Sequence, residues 1–397
     1  MTNKEIIALT TESVAGTYRR FPIALVRGEG TRVWDADGKE YLDFVAGIAV
    51  CNLGHCHPKV VGAIKEQAEK LIHVSNLYHI APQAEFARLL CEHSFADKVF
   101  FANSGAEANE AAIKLARKYF HSRGEDRFQV ISMERSFHGR TMAAMAATGQ
   151  KKVQEGFEPL LEKFSYVPFN DLRALEAALS EKTAAVMAEP IQGERGVYPP
   201  SEGYLKGMKA LCEEAGALLI FDEVQVGMGR TGTLFAYEQY DVTPDIMTLA
   251  KGLAGGVAMG AMLANDEVAA AFTPGSHAST FGGNPLASAA GMAAVKAIID
   301  EGLLDNCRTV GAYLAKKLDD LKRSIPAISE IRGKGLIVGM DIDVPCGAIV
   351  TKCMEKGLLI NCTGESTLRF IPPLTVTEAD VDRMIALLEG VIREEVV

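Results

Sequence analysis

Two polar side chains follow apolar runs of the sequence, and their types are those of covalent and acid–base chemistry. Asp222 closes the run "ALLIFD" (217–222), and Lys251 comes directly after "DIMTLA" (245–250). Charged residues are rarely placed beside buried segments without a partner or a task. The small residues of "KGLAGGVAMGA" leave room around the lysine amine. The two positions therefore predict a site that uses a carboxylate and a nucleophilic lysine.

The stretch "LLIFDEVQVGMGRTG" (218–232) also suggests two nucleotide-binding motifs, and the surrounding sequence excludes both. Gly227, Gly229 and Gly232 have the G-x-G-x-x-G spacing, but they do not follow the strand end directly and no helical pattern comes after them. The apolar run before Asp222 is typical of the acidic strand end of an ATPase, yet the motif G-x-x-x-x-G-K-[ST] occurs nowhere in the chain. We therefore expect the glycines to shape a loop.

A helix start with phosphate-binding character follows the run "KVFFAN" (98–103). Ser104 and Glu107 have the S-x-x-E spacing of a capping box, and Gly105 and Ala106 leave the backbone N–H groups open. Such a helix N-terminus attracts phosphate, because its N–H groups are unpaired and its dipole is positive there. Considered alone, the motif is better explained by a plain helix cap.

Other strand ends carry residues suited to a flat, charged ligand. After "FQVISM" (128–133), Phe137 can cover a ring and Arg140 can clamp a carboxylate. Two carboxylates, Glu189 and Glu194, end or follow "AAVMAE" (184–189). A lysine, a carboxylate, a ring-covering aromatic residue and a phosphate-binding helix start are jointly what pyridoxal phosphate requires. The lysine forms the covalent link, and the acid pairs with the ring nitrogen.

The elements that must position these residues alternate between strands and helices. The strand-like runs are nearly continuous in apolar residues, as strands buried on both faces should be, and helical patterns such as "AEANEAAIKLARKYF" separate many of them. This pattern predicts an α/β fold whose large domain is a mostly parallel sheet covered by helices. We expect an N-terminal segment (1–55) that packs with a small α/β domain (286–397), and a large domain between them (56–285).

Composition bounds the partners and the cellular setting. The chain has 397 residues with 41 basic and 51 acidic side chains, a net charge of −10 that argues against a nucleic-acid or anionic membrane surface. The first residues, "MTNKEIIALT", show no targeting signal. The eight cysteines lack C-x-x-C spacing, so we interpret them as reduced thiols of a cytoplasmic protein. The cluster "CNLGHCHP" (51–58) favours a structural loop over a metal site.

Motifs along almost the whole chain resemble those of the class III pyridoxal-phosphate aminotransferases, of the aspartate-aminotransferase fold type. They include "NSGAEANEAAIKLAR", "SFHGRT", "EPIQGE", "DEVQVGMGRTG", "TLAKG", "GSHASTFGGNPLA" and "LRFIPPLTVTEADVD". The chain departs from the usual family pattern at Arg195 and Val226, neither of which is at an expected cofactor contact.

The resemblance implies a role for each site residue. Ser104, Gly105 and Ala106 would hold the phosphate, and Phe137 would stack on the ring. Asp222, Glu223, Val224 and Gln225 belong to the cofactor-binding stretch, with Gln225 on the ring hydroxyl and Lys251 carrying the cofactor. Ser279 and Thr280 would close the site from the other subunit of a homodimer, with Thr280 on the phosphate.

The resemblance also implies two small-molecule substrates handled in turn. The motifs are most similar to those of enzymes that act on N2-acetylornithine, with 2-oxoglutarate as amino acceptor, in arginine biosynthesis. Arg140 would hold the α-carboxylate of acetylornithine, while Glu194 and Arg369 would form a pair that opens for glutamate or 2-oxoglutarate. Succinylornithine, ornithine or 4-aminobutyrate stay open as substrates, as do an aminomutase and a non-catalytic binding protein on the same fold.

Overall fold

The structure is a computed structural model that describes residues 1–396. Its strands are β1 (Leu25–Glu29), β2 (Arg32–Asp35), β3 (Glu40–Asp43), β4 (Lys98–Ala102), β5 (Gln129–Met133), β6 (Phe164–Val167), β7 (Thr183–Ala188), β8 (Leu218–Asp222), β9 (Ile246–Leu249), β10 (Gly260–Ala264), β11 (Ile328–Lys334), β12 (Ile337–Ile342), β13 (Leu358–Leu359), β14 (Asn361–Thr363) and β15 (Thr367–Phe370).

The helices are α1 (Asn3–Ser13), α2 (Ala46–Ala49), α3 (Pro58–Lys70), α4 (Ala81–Glu92), α5 (Gly105–Ser122), α6 (Met142–Ala147), α7 (Lys151–Gln154), α8 (Leu172–Ala178), α9 (Tyr204–Ala215), α10 (Asp266–Ala269), α11 (Pro285–Asp300), α12 (Leu303–Ser324), α13 (Cys346–Glu355) and α14 (Glu378–Glu395). Two 3-10 turns, Ala236–Tyr240 and Lys251–Ala254, complete the described elements.

The centre of the molecule is a seven-stranded sheet with the order β4-β10-β9-β8-β7-β5-β6. Strands β5 to β9 pair in parallel, and β10 is antiparallel to both of its neighbours. The expected α/β fold with a mostly parallel sheet is therefore confirmed. Strand β6 was not among the predicted runs, because it is a short edge strand that is only partly buried and lacks a continuous apolar pattern.

Burial explains why the inner strands have so few polar residues. Every residue of β7, β8, β9 and β10 is buried, since helices cover both faces of the sheet. Helix α5 reaches the sheet through small side chains, among them Ala111, Ala112 and Ala116, which are fully buried. This close approach fixes the N-terminus of α5 beside the ends of the neighbouring strands.

The two ends of the chain share a sheet. Strand β13 pairs in parallel with β3 in a four-stranded sheet, and β11, β12, β15 and β14 form a further sheet. This pairing supports the expected association of the N-terminal segment with the small domain, while the boundaries themselves stay a prediction. Helix α11, which follows the predicted boundary, packs against α3 and α4.

One fully buried arginine connects these parts. The Arg230 guanidinium donates from Nη1 to the carbonyl of Leu336 at 3.0 Å and to that of Pro372, and from Nη2 to Asn52 Oδ1 at 2.6 Å. All three acceptors are neutral and belong to segments distant from residue 230 in sequence. Burial lowers the pKa of Arg230 to about 10.

The interpretation of all eight cysteines as reduced thiols is wrong for one pair. Cys346 and Cys362 form a disulfide, with Cα atoms 5.9 Å apart, and the other six are free. Helix α13 and strand β14 bring the two thiols together from positions 16 residues apart. A search for C-x-x-C spacing cannot find a pair that only tertiary packing joins. None of the helices within residues 1–396 combines the length and apolar character that crossing a membrane would need.

Candidate active site

The carboxyl ends of the central strands open into a cavity of about 450 Å³. Most of the predicted site residues line it: Ser104, Gly105, Ala106, Phe137, Arg140, Glu194, Asp222, Val224, Gln225 and Lys251. This is the position that parallel sheets offer to a ligand, since the loops after the strands meet there.

The floor of the cavity is built around the Asp222 carboxylate, which is 3% exposed at the end of β8. Its Oδ2 accepts from Asn109 Nδ2 at 2.8 Å and from His138 Nδ1 at 2.7 Å, and its Oδ1 accepts from the Val224 N–H at 3.0 Å. Because a carboxylate only accepts, the proton of the His138 ring must face it from Nδ1. The carboxylate is held in one orientation by three donors.

Asn109 and His138 were not assigned a role from the sequence. Asn109 also donates to the His138 carbonyl at 2.7 Å and accepts from Thr248 Oγ1 at 2.7 Å, so its amide is fully used. The available signal was a polar residue on the buried face of an alanine-rich helix. For His138 the signal was its position next to the ring-covering Phe137.

Lys251 stands at the start of the 3-10 turn after β9, opposite the acidic floor. Its φ of +41° is a left-handed value that is uncommon for a residue with a Cβ. Burial lowers the pKa of Lys251 to about 8; Asp222 opposes this shift, and Arg369 adds to it. A lysine of this kind is neutral more often than a surface lysine at the same pH, as a nucleophile or proton acceptor must be.

The other end of the cavity is the start of α5. Ser104 Oγ accepts from the Glu107 N–H at 3.2 Å, as a helix cap does. The expected capping box is only half formed, because Glu107 Oε2 accepts from the Asn103 N–H at 2.6 Å instead of from Ser104. Gly105 is required by a close approach, since a Cβ there would lie 2.8 Å from Val224 Cγ1.

The cavity wall between these ends contains Phe137 and a second buried acid. Phe137 is partly buried, and its N–H donates to Glu189 Oε2 at 3.1 Å. Burial raises the pKa of Glu189 to about 7, with His138 opposing the shift. Arg140 is exposed at the rim, with its guanidinium carbon 5.7 Å from the centre of the Phe137 ring.

Some predicted residues do not line the cavity of this chain. The Glu223 carboxylate is turned away and accepts from the N–H groups of Ala236 and Tyr237 at 2.6 and 2.7 Å, so sequence adjacency to Asp222 was misleading. Ser279 accepts from Asn103 Nδ2 at 3.3 Å beside the end of β4. Thr280 is exposed and lines a separate surface groove.

The predicted pair Glu194 and Arg369 is close but not joined. Arg369 is 2% exposed on β15 and donates from Nη1 to the Gly193 carbonyl at 2.7 Å and to Gln225 Oε1 at 3.2 Å. Glu194 Oε2 accepts from Gln150 Nε2 at 3.1 Å, and no ion pair within 4.0 Å joins the two residues in the described structure. The neighbouring Arg195 is exposed, so its charge faces solvent.

These residues fit pyridoxal phosphate. The open N–H groups of α5 suit the phosphate, the fixed Asp222 carboxylate suits a protonated ring nitrogen, and Lys251 supplies an amine of lowered pKa. The Phe137 ring supplies an apolar face between them.

Comparisons with known proteins agree with this geometry. The class-III aminotransferase family model matches residues 13–392. Acetylornithine aminotransferase from Caldanaerobacter subterraneus is 54% identical over 95% of this chain and 96% of that protein, and the one from Methanocaldococcus jannaschii is 51% identical over 95% of each. The ornithine aminotransferase crystal structure from Toxoplasma gondii has a TM-score of 0.95 at 36% identity, covering 100% of this chain and 96% of that one. The chain belongs to the class III aminotransferases, which are pyridoxal-phosphate enzymes.

Proposed function

We propose that this enzyme transfers the δ-amino group of N2-acetyl-L-ornithine to 2-oxoglutarate. The reversible reaction gives N-acetylglutamate 5-semialdehyde and glutamate, as a step of arginine biosynthesis. The observation that carries the proposal is the 48–54% identity, over nearly the whole chain, to acetylornithine aminotransferases of several organisms. The cavity, with an amine, an acid and a phosphate cradle in one place, is compatible with it.

The proposal assigns the cofactor contacts as follows. The N-terminus of α5 at Ser104, Gly105 and Ala106 holds the phosphate, Phe137 covers the ring, and Gln225 lies toward the ring hydroxyl. When bound, pyridoxal phosphate supplies an electron sink for the carbon that loses a proton. Asp222 keeps the ring nitrogen protonated, because its three donors fix an anion where that proton lies.

Lys251 performs the proton transfer. With pyridoxal phosphate and substrate bound, the Lys251 Nζ would remove a proton from the Cδ of acetylornithine and later return one. The lowered pKa of about 8 suits both tasks, since both protonation states of the amine are populated at mildly alkaline pH.

The rim distinguishes the two substrates. Arg140 binds the α-carboxylate of acetylornithine at the exposed edge, where the long side chain of the substrate extends away from the cofactor. Arg369 binds a carboxylate of 2-oxoglutarate or glutamate when Glu194 leaves it unpaired. The alternation lets one site accept an ω-amine in one half-reaction and an α-amine in the other.

We also propose a homodimer with shared sites, located in the cytoplasm. Thr280 is exposed, and it is followed by Phe281, whose side chain is 60% exposed, on a loop that lies outside its own cavity. Leu77, which is 84% exposed, lines the same groove as Thr280, and exposed apolar side chains grouped in this way favour a subunit contact. In that arrangement Thr280 of the partner subunit completes the phosphate cradle.

A substrate panel tests the function. The holoenzyme is given 2-oxoglutarate with acetylornithine, succinylornithine, ornithine or 4-aminobutyrate, and glutamate formation is measured. We expect acetylornithine to have the largest kcat/KM. Ornithine is the second candidate, because the Toxoplasma ornithine aminotransferase has the same fold at a TM-score of 0.95. Turnover without 2-oxoglutarate would indicate an aminomutase and contradict the proposal.

A further inference from the structure

Gln150 is the residue that contacts the Glu194 carboxylate, and it lies in a segment outside the predicted site. Its Nε2 donates to the Ser136 carbonyl at 2.9 Å and to Glu194 Oε2 at 3.1 Å. Both partners are pure acceptors, so the amide nitrogen, and not the amide oxygen, must face them. The two hydrogens of the amide are thereby both used.

The backbone holds this amide in place. Gly149 N–H donates to Ser136 Oγ at 3.1 Å, and the Arg135 N–H donates to the Gly149 carbonyl at 2.9 Å. A Cβ at position 149 would lie 2.2 Å from the Met133 carbonyl oxygen, so the chain runs directly against the end of β5. The Gln150 side chain therefore starts from a fixed point beside the cavity.

Arg369, in turn, has only neutral acceptors among residues 1–396. Its Nη1 contacts Gly193 and Gln225, and its Nε donates to Asn361 Oδ1 at 3.3 Å. A nearby carboxylate would be a stronger partner for a buried guanidinium than these groups are. Yet Glu194 is bound by the Gln150 amide. A neutral donor thus competes with Arg369 for the same carboxylate.

We propose that Gln150 is a specificity-determining residue, which retains Glu194 so that Arg369 stays available for the carboxylate of a dicarboxylate substrate. The inference rests on the proposed function for the identity of that substrate. Without the Gln150 amide, Glu194 gains by turning to Arg369 and masking its charge. Gln150 then sets the balance between the ω-amino substrate and 2-oxoglutarate or glutamate, although it acts through Glu194 and touches neither substrate.

The test uses glutarate, a dicarboxylate that cannot be transaminated, and the intact holoenzyme. Gln150→Leu removes the donors, and we expect calorimetry to show glutarate binding weakened by about ten- to a hundredfold, the value of one neutral-to-charged hydrogen bond. Gln154→Leu is the matched control. Gln154 is the last residue of α7, the short helix that Gln150 precedes, and its amide donates to the Thr148 carbonyl at 2.8 Å, away from Glu194. It should leave glutarate affinity unchanged.

A double variant separates this role from a structural one. With Glu194→Ala as background, Gln150→Leu should no longer affect glutarate binding, because no carboxylate remains to mask Arg369. Gln150→Glu places a negative charge beside Glu194 and repels it, so this variant should weaken glutarate binding more than Gln150→Leu does. It also replaces Gln150→Leu in the test if the leucine variant folds poorly. For the single variant Gln150→Leu, single-turnover measurement should show that the glutamate half-reaction is impaired and that the acetylornithine half-reaction is retained.

Two results would overturn the proposal: an unchanged glutarate affinity in Gln150→Leu, or an equal loss with and without Glu194. Failure of the wild-type enzyme to use acetylornithine would instead refute the proposed function. The glutarate measurement would still decide the role of Gln150, because it does not depend on the amino donor.

Discussion

The floor and the rim of the cavity are built on opposite principles. On the floor, Asp222 is buried and receives hydrogen bonds from Asn109, His138 and Val224, so that only one arrangement satisfies all of them. We use rim for the three predicted substrate-binding charges, Arg140, Glu194 and the buried Arg369. There, the opposite charges of Glu194 and Arg369 influence each other without an ion pair, and each binds neutral groups. A satisfied network is rigid, whereas a network with a better partner nearby can rearrange. The difference assigns the chemistry to the floor and substrate exchange to the rim.

Removing the amine opposite the floor should have the largest effect. We expect Lys251→Ala to abolish covalent cofactor attachment and to reduce turnover by more than ~10³-fold, since the general base and acid are lost together. Borohydride reduction of the wild-type holoenzyme and peptide mapping should mark Lys251. Lys209→Ala, outside the cavity, is the control. A label on another lysine would contradict the assignment of Lys251 as the residue that carries the cofactor.

The floor itself is tested by removing its carboxylate. Asp222→Ala should cost at least ~3 kcal/mol of transition-state stabilisation, about a hundredfold or more in rate, because an anion next to the ring nitrogen is lost. His138→Phe removes one of three donors and should cost less, about 1.5–3 kcal/mol. Steady-state kcat measured with saturating cofactor compares the two. A loss below tenfold in Asp222→Ala, with cofactor bound, would show that another group holds the ring.

The rim should respond in opposite directions to its two charges. Glu194→Ala leaves Arg369 unmasked and should improve the glutamate half-reaction relative to the acetylornithine one. Arg369→Ala should weaken 2-oxoglutarate and glutamate by ~1.5–3 kcal/mol, roughly ten- to a hundredfold, and spare acetylornithine. Single-turnover rates of each half-reaction provide the measurement. If both variants slow both half-reactions equally, Glu194 and Arg369 have a structural role and do not rearrange between substrates.

The effect furthest from turnover concerns the pH dependence of apoprotein stability. Burial lowers the pKa of Lys251 to about 8 in the folded state, against ~10.4 in an unfolded chain. Between these values the unfolded chain binds a proton that the folded one lacks, so stability rises with pH in that window. Wild type should therefore lose about 3 kcal/mol of stability between pH ~10.4 and pH ~8, whereas Lys251→Met should show no such loss.

Urea unfolding of both apoproteins at several pH values provides the measurement. Lys151→Met, at an exposed position outside the cavity, is the control and should show the same loss as wild type. A constant difference between wild type and Lys251→Met would mean that the amine is solvated in the folded state.

More of the floor than of the rim could be predicted from the sequence. The apolar runs before Asp222 and Lys251 located both residues at strand ends, because buried strands need little besides apolar side chains. Edge strand β6 lacked that signal. The partners of Asp222 were missed because Asn109 and His138 approach it from a helix and a turn distant in sequence.

At the rim, residue types were informative but pairing was not. Glu194 and Arg369 were identified through family motifs, yet the carboxylate is bound by Gln150, whose segment carries no motif. The same limitation explains the disulfide between Cys346 and Cys362, which only the packing of α13 on β14 brings together. Contacts between distant segments depend on tertiary structure, which local sequence patterns do not contain.

The buried guanidinium of Arg230 also has a consequence for biosynthesis. While the chain emerges from the ribosome, Asn52 is available early, but the carbonyls of Leu336 and Pro372 are synthesised last among its acceptors. Enclosing a cation without its acceptors costs several kcal/mol, so the nascent large domain cannot close around residue 230 until nearly all of the chain has been made. We therefore expect the packing around Arg230 to be completed only after the C-terminal strands have been synthesised.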